Sequence, residues 1–147
     1  MIAVDTNILV YAHRPETAFH RAASESMRGL AEGTSNWSIP WPCVHEFVAT
    51  VTRPSFWTDP TPATRAIDQV RAWVAAPTAR VLAETDRHLD LLADLIVRGQ
   101  IVGAKVHDAR VAALCIGHGV RELWTADRDF SRFPQLRTRN PLIEESN

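Results

Sequence analysis

Residues 2–12, IAVDTNILVYA, place a carboxylate within an apolar run, and this stretch decides how the fold is interpreted. The three apolar residues before Asp5 are typical of a strand in a parallel sheet, because such strands are covered on both faces. A bare buried carboxylate costs several kcal/mol unless it is paired, hydrogen-bonded or bound to a metal. Asp5 therefore either marks the carboxyl end of a strand, where open α/β sheets bind ligands, or caps a helix that starts at Thr6 or Asn7.

Strand patterns and helix patterns alternate along the rest of the chain. A helix is predicted from Thr17 to Leu30, another in residues 42–53, and an apolar one in residues 106–119. Further strands are predicted at NWSIP (36–40), ARVLA (79–83), VRELWT (120–125) and NPLI (140–143). This alternation favours an α/β fold with a central parallel sheet and helices on both sides, as a single domain over residues 1–147.

The composition is that of an ordinary globular protein, with 46% apolar and 22% charged residues in 147. The N-terminus has no basic segment before its short apolar run, and no apolar stretch approaches the roughly 18 residues of a membrane span. We therefore expect a cytoplasmic protein without a membrane segment. Cys43 and Cys115 lie in apolar helical contexts without metal-ligand spacing, so both are predicted to be reduced core residues.

The charge balance does not exclude a nucleic-acid partner. The formal net charge is -1, from 16 basic and 17 acidic residues. If some of these acids held two divalent cations, the loaded protein would become positively charged, because the charge of the ions belongs in the sum. Arginine supplies every basic residue except Lys105, and its planar guanidinium suits phosphate groups.

Three acids fall where a parallel sheet would gather a ligand site. Asp5 and Asp127 follow predicted strands directly, and the carboxyl ends of parallel strands meet at one edge of the sheet. Asp108 lies in the first turn of the apolar helix of residues 106–119, where the helix dipole favours an anion. Taken alone, Asp108 is better explained as a helix-capping acid.

Two other acids have competing interpretations. Glu46 lies away from the apolar stripe of its helix, which is the place for a solvated charge, although the neighbouring Ala49 and Thr50 are small and uncharged. Asp129 could bind a metal, brace Arg128 or lie on the surface.

Carboxylates from distant segments, without ligand-spaced cysteines or histidines, are the chemistry of a hard cation. Mg²⁺ and Mn²⁺ prefer oxygen ligands and commonly share carboxylates with substrate phosphates. Two such ions can activate water and stabilise the leaving oxygen of a phosphodiester. No GxGxxG or P-loop motif is present in the sequence, so a nucleotide cofactor has no motif to bind it.

Four segments together resemble the PIN-domain ribonucleases, in particular the VapC toxins of prokaryotic toxin–antitoxin pairs. They are VDTNILVYA (4–12), VHEFVATVTRP (44–54), GAKVHDARVAALCIGHGV (103–120) and LWTADRDFSRFP (123–134). The resemblance implies a Rossmann-like three-layer α/β/α PIN domain, dependence on Mg²⁺ or Mn²⁺, homodimerisation, and inhibition by a VapB antitoxin that fills the groove.

The family's acidic pattern carries over residue by residue. It makes four acids the catalytic residues and metal ligands, and makes three further residues candidates for the supporting shell. The four acids are Asp5, Glu46, Asp108 and Asp127, and the supporting residues are Asn7, Thr125 and Asp129.

The function expected from this resemblance is that of a toxin endoribonuclease that cuts structured RNA, either transfer RNA or ribosomal RNA. A metal-activated water would attack the phosphodiester and leave 5′-phosphate and 3′-hydroxyl ends. Phe56 or Trp57 in the proline-rich loop could stack on an unpaired base, or could instead pack in the core or at a dimer interface. The candidate phosphate contacts are Arg128, Arg132 and Lys105.

Two other functions remain open on the sequence. The acids could form a binding module that receives an arginine of a partner protein and does no catalysis. The chain could also be a phosphatase of the haloacid dehalogenase type, which begins with an Asp after an apolar strand. That family requires a second Asp two residues further on, and this chain has Asn7 there.

Overall fold

A five-stranded sheet lies at the centre of the computed structural model, which describes residues 1–143. Every neighbouring pair of strands runs parallel, in the order β3-β2-β1-β4-β5, so the predicted central parallel sheet is confirmed. Residues 144–147 of the predicted single domain lie outside the described residues. The strands are β1 (Ile2–Val4), β2 (Trp37–Pro40), β3 (Ala79–Leu82), β4 (Glu122–Trp124) and β5 (Thr138–Arg139).

Helices connect the strands and cover the sheet. Helix α1 packs on α2 and α3, α3 packs on α4, and α5 packs on α6. None of the helices in residues 1–143 has the length and hydropathy that a bilayer crossing needs. Short 3₁₀ segments occupy Gly103–Lys105 and Arg128–Arg132. The helices are α1 (Thr6–His13), α2 (His20–Glu32), α3 (Trp41–Val51), α4 (Ala63–Val74), α5 (His88–Gly99) and α6 (Val106–Gly117).

The sheet interior explains the apolar runs of the sequence. Ala3 and Val4 of β1 are fully buried, as are Trp37 of β2 and Leu123 of β4. Parallel strands covered on both faces have no solvent side, so their residues are apolar at consecutive positions. The two cysteines are free and buried in the helices, which confirms the prediction made for them.

The strand order fixes where a ligand can bind. The chain runs from β1 outward to β2 and β3, and then returns to place β4 on the other side of β1. Such a reversal of direction opens a crevice at the carboxyl ends of the two strands, here β1 and β4. The backbone N–H of Asp5 donates to the Trp124 carbonyl at 3.0 Å, which ties these two strand ends together.

Helix α2 differs from its prediction. It begins at His20 instead of Thr17 and continues to Glu32 instead of stopping at Leu30. The Thr17 hydroxyl and its backbone N–H both donate to the Arg14 carbonyl, at 2.7 and 3.1 Å, which closes a tight turn. A threonine hydroxyl that bonds a nearby carbonyl in this way competes with helix formation.

The strand predicted at NPLI was wrong, and the last strand is Thr138–Arg139. The N–H groups of Leu123 and Thr125 donate to the Arg137 and Arg139 carbonyls, both at 2.9 Å. Pro141 has no N–H with which to continue this ladder. The Asn140 side chain accepts the Leu142 N–H at 3.0 Å and turns the chain away from the sheet.

The end of α2 yields a prediction with opposite signs at two glycines. A Cβ at Gly33 would lie 2.9 Å from the Gly29 carbonyl oxygen, so Gly33→Ala should lower the free energy of unfolding by about 1–3 kcal/mol. A Cβ at Gly29 meets no heavy atom of a neighbouring element among the described residues within 4 Å. Gly29→Ala should therefore raise stability by up to about 1 kcal/mol, because alanine favours helix interiors.

Urea unfolding of the two variants beside the wild type measures this difference. Equal changes in the free energy of unfolding of both variants would contradict the close approach of the backbone at Gly33.

Candidate active site

The four acids that the sequence singled out line one groove of about 590 Å³ at the carboxyl ends of β1 and β4. Asp5 follows β1, Glu46 lies on α3, Asp108 lies in the first turn of α6, and Asp127 lies in the loop after β4. Residues up to 122 positions apart in the sequence thus meet at the switch point of the sheet.

Asp5 fulfils both of the roles that the sequence left open. Its Oδ1 accepts the Thr6 N–H at 2.8 Å and so caps α1. Its Oδ2 accepts the Thr125 hydroxyl at 2.8 Å and faces the Asn7 amide at 3.5 Å. The Cys43 thiol donates to Oδ1 at 3.4 Å. The carboxylate is therefore a structural cap that also lies at the ligand edge of the sheet, where four donors surround its two oxygens.

Burial raises the pKa of Asp5 from 3.8 to about 6. Hydrogen bonds from Thr125, Thr6 and Cys43 oppose this rise, and the negative charge of Glu46 adds to it. The hydrogen bonds thus offset only part of the cost of removing the carboxylate from water. A cation in the groove would lower this pKa and stabilise the ionised form.

Asn7 and Thr125 fasten the loop after β4 to α1. The Asn7 Oδ1 accepts the Ala126 N–H at 3.1 Å, and its Nδ2 donates to the Thr125 hydroxyl at 3.3 Å. The same hydroxyl oxygen accepts the Asp127 N–H at 3.0 Å. These bonds fix the positions of Asp5 and Asp127 relative to each other, and the supporting role of Asn7 and Thr125 stays a prediction.

Three carboxylates form the tightest acidic group within the described residues. Asp108, Asp127 and Asp129 each place an oxygen within 4.8 Å of the other two. The Asp127 carboxylate accepts the Asp129 N–H at 2.8 Å, which brings the two acids together at the start of the 3₁₀ segment. Burial raises the pKa of Asp108, and the neighbouring charge of Asp127 raises it further. The group therefore repels itself and favours a cation.

Of the alternatives left open for Asp129, the bracing of Arg128 is not what the structure shows. Asp129 forms an ion pair with Lys105, which lies one helical turn before Asp108. The Lys105 ammonium thus lies beside the acidic group, while Arg128 and Arg132 are exposed on the 3₁₀ segment. Of the three candidate phosphate contacts, Lys105 is already engaged with an acid of the site.

Glu46 is exposed on α3, as its place on the helical wheel predicted, but the solvent it faces is that of the groove. Its Oε2 accepts the Thr6 hydroxyl at 3.1 Å. Thr6 therefore donates its N–H to Asp5 and its hydroxyl to Glu46, and sets the spacing of the two carboxylates. The charge of Glu46 also raises the pKa of Asp108.

A second cavity of about 500 Å³ adjoins the same acids and contains residues that the sequence interpretation missed. It is lined by Asp5, Glu46 and Asp108, together with His45, His107 and Arg110. Two of these residues could have been found, because His45 and His107 directly precede Glu46 and Asp108. Cys43 and Thr6 were also missed, since nothing in their local pattern shows that they contact a carboxylate.

The donor set fits a hard divalent cation. Carboxylate oxygens are the ligands that Mg²⁺ and Mn²⁺ prefer, and three of them lie within 4.8 Å of one another. The pKa values of Asp5 and Asp108 are raised because negative charge is buried beside other acids. A bound cation would offset that charge. The arrangement is thus suited to binding metal and to placing a phosphate against it.

The raised pKa of Asp5 predicts how stability changes with pH. Between about pH 4 and pH 6 the folded state binds the proton more tightly than the unfolded chain, so the free energy of unfolding falls as pH rises through this window. At neutral pH without metal the ionised carboxylate costs about 3 kcal/mol. Asp5→Asn should remove this dependence and melt at the same temperature as the wild type or higher.

Calorimetry in EDTA at pH 5 and pH 7.5 tests this expectation. Asp86→Asn, an exposed acid before α5, is the matched control and should keep the wild-type profile. A clearly lower melting temperature for Asp5→Asn at pH 7.5 would show that the hydrogen bonds of the carboxylate outweigh its burial cost.

Comparison with known proteins identifies the family of this chain. A family model for the PIN domain matches residues 2–136. Ribonuclease VapC37 of Mycobacterium tuberculosis is 32% identical over 141 residues, which cover 96% of this chain and 97% of the relative.

Two solved structures share the fold. VapC20 of Mycobacterium tuberculosis, described as a sarcin-ricin loop cleaving toxin, has a TM-score of 0.66 at 21% identity over 89% of this chain and 93% of its own. VapBC2 of Rickettsia felis, bound to a promoter DNA fragment, has a TM-score of 0.65 at 19% identity over 95% and 98%. With the family match over nearly the whole chain and the acids in one groove, the chain belongs to the PIN-domain family, in its VapC branch.

Proposed function

We propose that the protein is a toxin endoribonuclease of a VapBC-type toxin–antitoxin system and that it cleaves structured RNA with Mg²⁺ or Mn²⁺. The observation that carries this proposal is the meeting of Asp5, Glu46, Asp108 and Asp127 in one groove at the switch point of the sheet. Relatives named as VapC ribonucleases, which this chain matches over nearly its full length, support the same activity.

The acids divide into two groups by their surroundings. Asp108, Asp127 and Asp129 are half-buried, and their oxygens are close enough to share one cation. Asp5 is buried, and Thr6 joins it to the exposed Glu46 on the other wall of the groove. When bound, the divalent cation supplies an activated water and neutralises charge at the phosphate.

The protein residues then orient the reaction. Asp5 is held by Thr6 and Thr125, so its carboxylate cannot rotate away when substrate enters. Glu46 has one hydrogen bond, from the Thr6 hydroxyl at 3.1 Å, and leaves its other oxygen free to accept a proton from the incoming water. The products are a 5′-phosphate and a 3′-hydroxyl. This chemistry does not use the 2′-hydroxyl, so the choice of RNA rests on the VapC relatives.

The same relatives support a proposal for the partner of this chain. We propose that a VapB-type antitoxin neutralises the enzyme by filling the groove, as expected from the resemblance to pairs such as VapBC2 of Rickettsia felis. Homodimerisation and a cytoplasmic location are part of this proposal, and size-exclusion chromatography with light scattering measures the first.

The two alternatives are less well supported. A phosphatase of the haloacid dehalogenase type needs an Asp at position 7, and Asn7 instead bridges Thr125 and Ala126 through both of its polar atoms. A binding module without catalysis would use the same acids to receive an arginine, and only activity separates it from the nuclease.

The proposal predicts metal-dependent cleavage that needs the groove acids. Purified protein with Mg²⁺ or Mn²⁺ should cut total cellular RNA at a few sites, and EDTA should stop the reaction. Asp5→Asn and Asp108→Asn should each lower the rate more than about 100-fold, because loss of a residue that merely hydrogen-bonds to a metal ligand already costs about 10–100-fold. Mapping the 5′ ends of the fragments identifies the target.

Asp86→Asn is again the control and should cleave at the wild-type rate. Absence of cleavage under every metal would refute the nuclease. The binding-module interpretation would then gain support if a partner arginine bound the wild type and failed to bind Asp108→Asn.

A further inference from the structure

The main groove continues beyond the acids into an aromatic wall. Tyr11, Phe19, Phe56 and Trp57 line the same 590 Å³ space as Asp5 and Asp108. Two of these rings are well exposed, Phe19 at 43% and Phe56 at 62%. A surface of this kind next to charged groups suits an occupant that is flat and apolar on its face and polar at its edges.

The Phe56 ring is exposed but fixed in place. It packs edge-to-face against Trp57, with ring centroids 4.8 Å apart. The indole N–H of Trp57 donates to the Thr50 carbonyl at 2.8 Å, and the Arg14 guanidinium lies 4.3 Å from the indole centroid on its face. Arg14 is itself buried and donates to the Thr61 hydroxyl at 3.0 Å. Of these two rings, Trp57 is therefore the support, and Phe56 is the one that remains open.

The second cavity, with its histidines and Arg110, offers a different chemistry to the same acids. His45 and His107 offer hydrogen-bonding groups that suit the phosphates of a strand, while the Arg110 guanidinium at the same cavity pairs with Glu84 at 2.9 Å. A strand that places one phosphodiester at the acids would thus have polar contacts available on the α3–α6 side and an aromatic wall available on the α1 side. The aromatic wall, with its four rings, matches the face of a base.

We propose that Phe56 stacks on an unpaired base of the substrate, next to the phosphodiester bond that is cut, with Trp57 as its support. The inference rests on the proposed ribonuclease function and adds a specificity-determining contact to it. Unpaired bases in RNA loops are commonly recognised by stacking on aromatic side chains, and every base has a suitable face. The enzyme should therefore select loops whose nucleotide at that position is unpaired.

The test uses a short RNA loop that contains the mapped cleavage site. The RNA is made intact and in two abasic forms. Each abasic form lacks the base of the nucleotide on one side of the cut. The wild type is compared with Phe56→Ala, Phe56→Tyr and the control Leu89→Ala, a residue of α5 that is 75% exposed. Mn²⁺ binding is measured for each variant, and unchanged binding shows that the substitution leaves the acids unaffected.

Phe56→Ala should lower kcat/KM on the intact RNA by roughly 5- to 150-fold, the range for loss of one base–aromatic stack. Removal of the stacked base should lower the kcat/KM of the wild type by a similar factor. It should not lower the kcat/KM of Phe56→Ala any further. Phe56→Tyr should retain activity, and Leu89→Ala should match the wild type.

Several results would overturn the proposal. An equal loss for Phe56→Ala on the intact RNA and on both abasic RNAs would make Phe56 a structural residue. Unchanged cleavage by Phe56→Ala, with weaker inhibition by an antitoxin, would make the wall a protein-docking surface instead.

A binding arm separates this inference from the proposed function. If the wild type cleaves no RNA, the proposed ribonuclease function is refuted. The proposed stacking on Phe56 is then tested by binding of a single-stranded oligonucleotide that carries 2-aminopurine at successive positions. Quenching of its fluorescence by Asp108→Asn protein, lost when Phe56→Ala is added, supports the stack. Equal quenching with and without Phe56 rejects it.

Discussion

The buried carboxylate of Asp5 is the constraint on which the rest of this structure depends. Its backbone N–H bonds the end of β4, one oxygen caps α1, and the other accepts the Thr125 hydroxyl. One residue thus joins the central strand, the first helix and the loop that carries Asp127. The hydrogen bonds hold the carboxylate in place but offset only part of the free-energy cost of its burial, so its pKa rises to about 6.

This arrangement sets stability against function. Asp5 and Asp108 are both made harder to ionise by burial and by neighbouring acids, so the metal-free protein carries repulsion at the point where its strands diverge. The buried β1 and β2 and the apolar face of α6 provide the stability that tolerates this cost. Proteins commonly accept such local instability at sites that need a charged ligand.

Electrostatics also explain how a chain of net charge -1 suits a polyanion. Bound cations would reverse the sign of the groove, because their charge adds to that of the acids. Lys105 lies beside Asp129, and the cavity of His45, His107 and Arg110 adjoins the same acids. Under the proposed function, phosphate would bind beside these groups, and the aromatic wall would provide a contact that does not depend on charge.

The sequence by itself determined the parallel sheet and the order of the acids. Apolar runs and helical periodicity are local properties, so the strands and the acids that follow them were found without coordinates. The family pattern then selected Glu46, whose helical position alone indicated a solvated charge. The errors of the sequence prediction were also local. Helix α2 was predicted to begin three residues too early, and β5 was predicted two residues too late. At both places, hydrogen bonds from side chains to the backbone, and at β5 also a proline, decide where the element begins or ends.

Only the tertiary structure decided which side chains meet. Asp129 pairs with Lys105, 24 positions away, and not with its neighbour Arg128, while Cys43 and Thr6 reach carboxylates that no spacing rule connects to them. The sequence left Phe56 and Trp57 equivalent, and the contacts of Trp57 with Arg14 and Thr50 distinguish them. Periodicity shows which face a residue occupies, but the partner on that face depends on how distant elements pack.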